Sequence, residues 1–152
     1  CARPWEQVEM ANALFGLGRE NFLDGAISWT NDTIRCLFID HADDTPAIDT
    51  DDFLSDLATA ARVPSGTDGT QTNHTALASK TKTLGVADAA DVTFSALTGD
   101  TSESIVIYRG TLTDTTSELI AYIDSATGLP LTPNGGDVII AWDSGSNRIF
   151  KL

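Results

Sequence analysis

The rhythm of apolar and polar positions changes along the chain. Between residues 11 and 24, Leu14, Phe15, Leu17 and Phe22 fall near i, i+3, i+4 spacing, which predicts a short helix in spite of Gly16 and Gly18, with Gly25 as its stop. A short strand over 26–29, a turn at Asn31-Asp32 and a strong strand over 33–40 come next. Residues 41–56 are acidic. Within them Asp49 or Thr50 can cap a second short helix over 51–60 that turns Phe53, Leu54 and Leu57 inward. The composition of 65–73 (SGTDGTQTN) is that of a loop.

From Thr75 onward the pattern is that of strands. Residues 75–83 alternate Thr with Ala, Ser and Lys, and the stretch 91–97 alternates with period two, placing Val92, Phe94 and Ala96 on one face. Apolar strands are expected over 104–109, 118–124 and 137–142, with a terminal strand over 148–152. Turn clusters at 110–117, 128–136 and 143–147 separate them, and the last four strands are expected to form an antiparallel meander. The predicted fold class is mainly β: an antiparallel β-sandwich or barrel-like domain with a short N-terminal helix and one short internal helix. Residues 1–18 are read as an N-terminal arm and 19–152 as a single domain. Residues 1–9 differ in texture from the chain beyond Met10 and read as an extension anchored by Trp5.

Charge narrows the partners. The 152 residues carry a formal net charge of -13, and such a surface repels nucleic acid, whose binding needs cations to displace phosphate counterions. It also disfavours anionic membranes and favours basic protein surfaces. No apolar run approaches the roughly 18–20 residues that span a bilayer, so neither nucleic acid nor membrane is expected as a partner. Of the two cysteines, Cys36 lies inside an apolar strand and reads as a small buried hydrophobe, and no disulfide framework is expected.

Motifs for chemistry are sparse. His41 and His74 are the only histidines, they stand in no zinc spacing and beside no G-x-S-x-G elbow, and both read as surface or capping residues. Asp49-x-Asp51-Asp52 has something of a hard-cation spacing, yet it lacks the glycine and distal Glu of an EF-hand loop, and helix capping explains it better. Gly16-x-Gly18 is followed by no Lys-Ser/Thr and makes no phosphate loop. Neither enzyme activity nor a cofactor or metal is expected. The Thr-rich connection Gly110-Thr111-Leu112-Thr113-Asp114-Thr115-Thr116-Ser117 reads either as a solvated hairpin end, the commoner case, or as a contact surface on a rigid scaffold.

The C-terminal half resembles a group of small tailed-bacteriophage structural proteins. The stretches that carry the resemblance are Gly85-Val86-Ala87-Asp88-Ala89-Ala90-Asp91-Val92-Thr93-Phe94, Ile105-Val106-Ile107-Tyr108 and the run from Leu119 to Leu152. Arg19-Glu20-Asn21-Phe22-Leu23-Asp24-Gly25, Ala26-Ile27-Ser28-Trp29 and Asp32-Thr33-Ile34-Arg35 are similar to that group's N-terminal part. The resemblance implies a virion component and assigns no catalytic residue. The expectation is a capsid decoration (cement) protein on the outer head, partnered by the major capsid protein or other virion proteins and present as a homo-oligomer or as lattice-bound copies. A tail, neck or fibre-associated protein, or a receptor-binding module, is the alternative. Trp5, Leu14, Phe15, Leu17, Thr111, Leu112 and Thr113 are the expected contact residues.

Overall fold

Two apolar runs, Ile34–Ile39 and Ser104–Arg109, are too continuous for strands with one wet face, and they become the paired centre of the fold. The computed structural model of the protein describes residues 12–65 and 74–152. The strands are β1 (Ala13–Leu14), β2 (Ile34–Ile39), β3 (Arg62–Val63), β4 (Thr75–Ala76), β5 (Thr81–Thr83), β6 (Val86–Asp88), β7 (Val92–Phe94), β8 (Ser104–Arg109), β9 (Leu119–Ile123), β10 (Val138–Ile140) and β11 (Phe150–Lys151). One α-helix, α1 (Gly16–Leu23), lies among the described residues. The chain is mainly β with antiparallel sheets, in keeping with the expected sandwich-like class.

The central sheet runs β1-β9-β8-β2-β3, with β4 pairing the other half of β2. Smaller sheets of order β11-β6-β5 and β10-β7 pack on one of its faces. Strand periodicity sorts the side chains. Ile34, Cys36 and Phe38 of β2 and Ile105 and Ile107 of β8 point toward the smaller sheets, where they meet Trp29, Ala87, Val92 and Phe94. Leu37 and Ile39 of β2 and Val106 and Tyr108 of β8 point the other way, under a layer built from Phe15, Leu54, Leu57 and Ala61. Three layers result: a cover of turns, the central sheet, and the two smaller sheets.

Several expected elements take a different form. The helix expected over 11–24 is confined to Gly16–Leu23, because Ala13 and Leu14 pair with Tyr122 and Ala121 at the edge of the central sheet. Gly18 lets α1 lie directly on β9, since a Cβ there would stand 2.5 Å from the Leu119 carbonyl oxygen. Residues 26–29 form no strand. The Asp32 carboxylate accepts from the Ser28 amide and closes a turn, which buries Ile27 and Trp29 without a ladder. The helix expected over 51–60 is two 3-10 turns, Leu54–Asp56 and Thr59–Ala61. Phe53 before the first is extended and bridges Glu118, and Leu57 between them is extended too. The cap is Asp56, which accepts from the Asp52 and Phe53 amides, rather than Asp49 or Thr50. Leu54 and Leu57 do turn inward.

Ala96 leaves the expected face: it is exposed with φ +51°, and Leu97 is buried in its place. The meander also fails. Only β8 and β9 are neighbours; β10 pairs with β7 and β11 with β6, because the connection after β9 carries the chain across to the other layer. Most of the loop expected over 65–73 lies outside the described residues.

Candidate protein-contact surface

Residues 12–18 of the expected arm are built into the domain. Phe15 has no exposed surface and meets Tyr122 edge-on at 6.5 Å, so it is a core residue and not a contact. Leu14 and Leu17 are half-buried, Leu14 in β1 and Leu17 in α1. Trp5 lies outside the described residues. A truncation meant to remove only the arm must therefore stop at Ala11.

The Thr-rich connection is present and ordered by its own hydroxyls. Thr111 Oγ1 lies 2.6 Å from Thr116 Oγ1 and 3.0 Å from Ser117 Oγ, and Ser117 Oγ donates to the Thr113 carbonyl at 2.9 Å. The connection includes a 3-10 turn, Asp114–Thr116. Arg62, buried on β3, ties this turn to the cover layer. Its guanidinium donates to Asp114 Oδ2 at 2.6 Å and to the Leu54 and Leu57 carbonyls at 2.6 and 2.8 Å. The hydroxyl network and the ion pair hold up Leu112, which is 62% exposed with φ +70°. Thr113 beside it is exposed and Thr111 is half-buried.

A second surface escaped the sequence. The C-terminal end of α1, the β5–β6 hairpin and β11 enclose an open groove of about 530 Å³ lined by Phe22, Trp29, Val86, Phe150 and Leu152 among others. Phe150 is its floor, with Phe22 at 5.8 Å and Trp29 at 5.2 Å between ring centroids. The hairpin turn Leu84-Gly85 has φ of +53° and +79°, the geometry that favours Asn-Gly. Gly85 is required there, since a Cβ would lie 2.9 Å from the Leu152 carbonyl oxygen. Leu84 is not what the turn asks for, yet it stands 91% exposed at the tip. Leu23, 89% exposed, ends α1 between the groove residues Phe22 and Gly25.

The two surfaces differ in charge. Residues 40–61, which form the cover layer, hold seven Asp and no Lys or Arg. The β11-β6-β5 sheet and its flanks hold Lys80, Lys82, Arg148 and Lys151 against Asp88, Asp91 and Asp143, a nearly balanced set, with Lys82 at the groove. Arg148 is paired loosely with Asp88 at 3.8 Å. Asp51 in the cover has its carboxyl pushed up from the usual value, first by burial and then by neighbouring carboxylates, although it accepts the Ala47 amide.

No protein-family model matches the chain, and no curated protein matches it. The remaining chemical candidates are decided by geometry. His41 Nε2 lies 2.9 Å from Ser104 Oγ and its ring stacks on Tyr122, but Ser104 is fully buried in β8, where no substrate carbonyl can reach it. His74, expected at the surface, is fully buried: Nδ1 is 2.6 Å from the Tyr108 hydroxyl and Nε2 is 3.2 Å from the Pro64 carbonyl. Burial, reinforced by the nearby Arg62 charge, lowers its pKa to about 4. Cys36 is a buried free thiol whose pKa burial raises. Asp40, Asp43 and Asp100 bring carboxylate oxygens within 4.8 Å of one another, though the Ala42 amide already occupies Asp40 Oδ1. No helix among the described residues is long and apolar enough to cross a membrane.

Proposed function

We propose that this chain is a bacteriophage capsid decoration protein, a structural unit that attaches in many copies to the outer surface of the head. The observation that carries the proposal is the placement of large apolar side chains at exposed turn tips of a rigid β domain. Leu84 and Leu112 both occupy left-handed backbone, which costs folding energy for a leucine, and both are exposed, which adds nothing to the core. Residues that break local rules at the surface mark contact sites. The acidic surface suits a unit that faces solvent and neighbouring proteins rather than packaged DNA. On a symmetric lattice, weak single contacts suffice, because avidity multiplies them.

The test is immunogold electron microscopy with antibody to this chain on intact phage particles. Gold over the head surface is the expected result. Gold confined to the tail would replace this proposal with a tail or neck role, and no labelling of particles would remove the virion assignment altogether.

A further inference from the structure

One side of the molecule is open between its layers. A cleft of about 730 Å³ separates β1 and the end of β9, in the central sheet, from β11 and the connection before it. Both walls end in an edge strand: β1 pairs only with β9, and β11 only with β6. In β1, Ala13 faces Tyr122 and the Phe15 amide donates to the Ile120 carbonyl, so by the alternation of an antiparallel ladder the N–H and C=O of Leu14 point away from β9. No backbone partner meets them among the described residues. Leu14 and Ile123 on one wall and Ile149 and Phe150 on the other are only half-buried. An unpaired strand edge beside half-covered apolar side chains is a seat for an extended chain. We propose that its occupant is the N-terminal segment of this same chain, residues 1–11, which enters the cleft in extended form and pairs with Leu14.

Three features favour this occupant. The segment starts at the cleft: Asn12 lines it, and the Asn12 side chain is clamped to Ser125, donating to its carbonyl at 3.3 Å and accepting from its amide at 3.2 Å. Asn12 has φ +53°, a turn conformation that Asn tolerates, so the preceding chain departs at a bend and from a fixed point on the wall. A segment tethered there meets the cleft at high effective concentration and closes only a short loop. Its pattern also suits the seat. Pro4 cannot donate to a ladder, which leaves Trp5 to Ala11 for pairing, and Val8 and Met10 fall on one face of that stretch. Charge agrees: the segment carries Glu6 and Glu9 against Arg3, while the cleft is lined by Arg148 and Lys151 against Asp143, in a chain whose net charge is -13. This goes beyond attachment to a virion, because the contact lies within one chain.

The experiment is hydrogen exchange followed by NMR on the full chain, on a variant lacking residues 1–11, and on Val8→Asp in the full chain. The Leu14 amide is expected to exchange about tenfold or more slowly in the full chain than in the shortened one, as an amide gaining a ladder partner does. Val8→Asp would bury a carboxylate among apolar side chains and should release the segment, with the same rise in exchange. It changes no residue of the described domain, so it serves if the shortened chain fails to fold, and circular dichroism verifies the fold in both. Protection at Leu14 should be unchanged across about a hundredfold dilution, since a contact within one chain does not depend on concentration. Equal exchange in the full and shortened chains, or protection retained in Val8→Asp, would overturn the inference. Protection that fades on dilution would give the cleft to another copy's segment and overturn it as well. Immunogold labelling is independent of these outcomes, so the virion assignment and the seated segment can fail separately.

Discussion

The two faces of the central sheet are closed by different means. Toward the smaller sheets, strand packs on strand, and the interface is apolar and aromatic: Phe38 meets Phe94 at 5.2 Å, and Trp29 meets Phe150. On the other face the cover consists of 3-10 turns and extended pieces that bring few large apolar side chains, chiefly Phe15, Leu54 and Leu57. Irregular backbone needs polar partners where it is buried, and here side chains provide them. Arg62 takes two turn carbonyls and Asp114, and His74 joins Tyr108 to the Pro64 carbonyl. The lesson is that a face closed by strands draws its stability from area, while a face closed by turns draws it from a few placed charges and hydrogen bonds.

Removing those charges should break the comparison most sharply. Arg62→Ala removes the buried cation that faces Asp114 and one donor from each of the Leu54 and Leu57 carbonyls, and is expected to cost about 3–5 kcal/mol in urea denaturation. Ile107→Ala on the strand-packed face should cost about 2–5 kcal/mol, the ordinary range for a core truncation. A loss at Arg62 below that at Ile107 would mean the cover is held by its leucines instead.

Acid should separate the faces next. His74 titrates near its ordinary 6.5 in the unfolded chain and at about 4 in the folded one. Between those values the unfolded state binds the extra proton. Stability from this group is therefore full above pH 6.5, falls as pH falls through the window, and is fully lost below about 4. The loss is on the order of 3 kcal/mol. Subtracting the pH–stability profile of His74→Gln from that of wild type isolates it; parallel profiles would show that His74 is protonated without cost. The smallest effect is of opposite sign. Leu84→Asn supplies the residue the hairpin turn favours and should raise stability by about 0.5–1 kcal/mol in thermal melts. A destabilised variant would mean that Leu84 packs within its own chain.

What was legible in the sequence is what depends on local pattern. The run from Ile34 to Ile39 and the run from Ser104 to Arg109 read directly as strands, and Leu54 and Leu57 read as inward-facing, even though a helix was expected around them. The loop bearing Thr111, Leu112 and Thr113 stands out by composition, and Leu112 does lie exposed there. Pairing between distant segments was not legible. Nothing local tells that Arg62 meets Asp114 52 residues away, or that β10 leaves β9 for β7. The groove draws on residues 22–29, 82–87, 150 and 152, so no single stretch announces it. One signal was available: Thr-Leu-Gly-Val at 83–86 is a two-residue hairpin turn in which leucine stands where Asn or Asp is favoured. Phe15 misled because a short apolar run broken by glycines, Leu14-Phe15-Gly16-Leu17-Gly18, fits an arm and a core equally well by pattern.

The β2–β8 ladder has a mechanical consequence. Six consecutive residues of β2 face six of β8 in antiparallel register, and both faces of the pair are dry. Its hydrogen bonds lie perpendicular to the strands. Tension applied along the strands loads these bonds together, in shear, and water cannot enter from either side to replace them one at a time. The turn-built cover and the small outer sheets lack such a ladder, so under a pull the molecule would yield at its outer layers first and keep its centre.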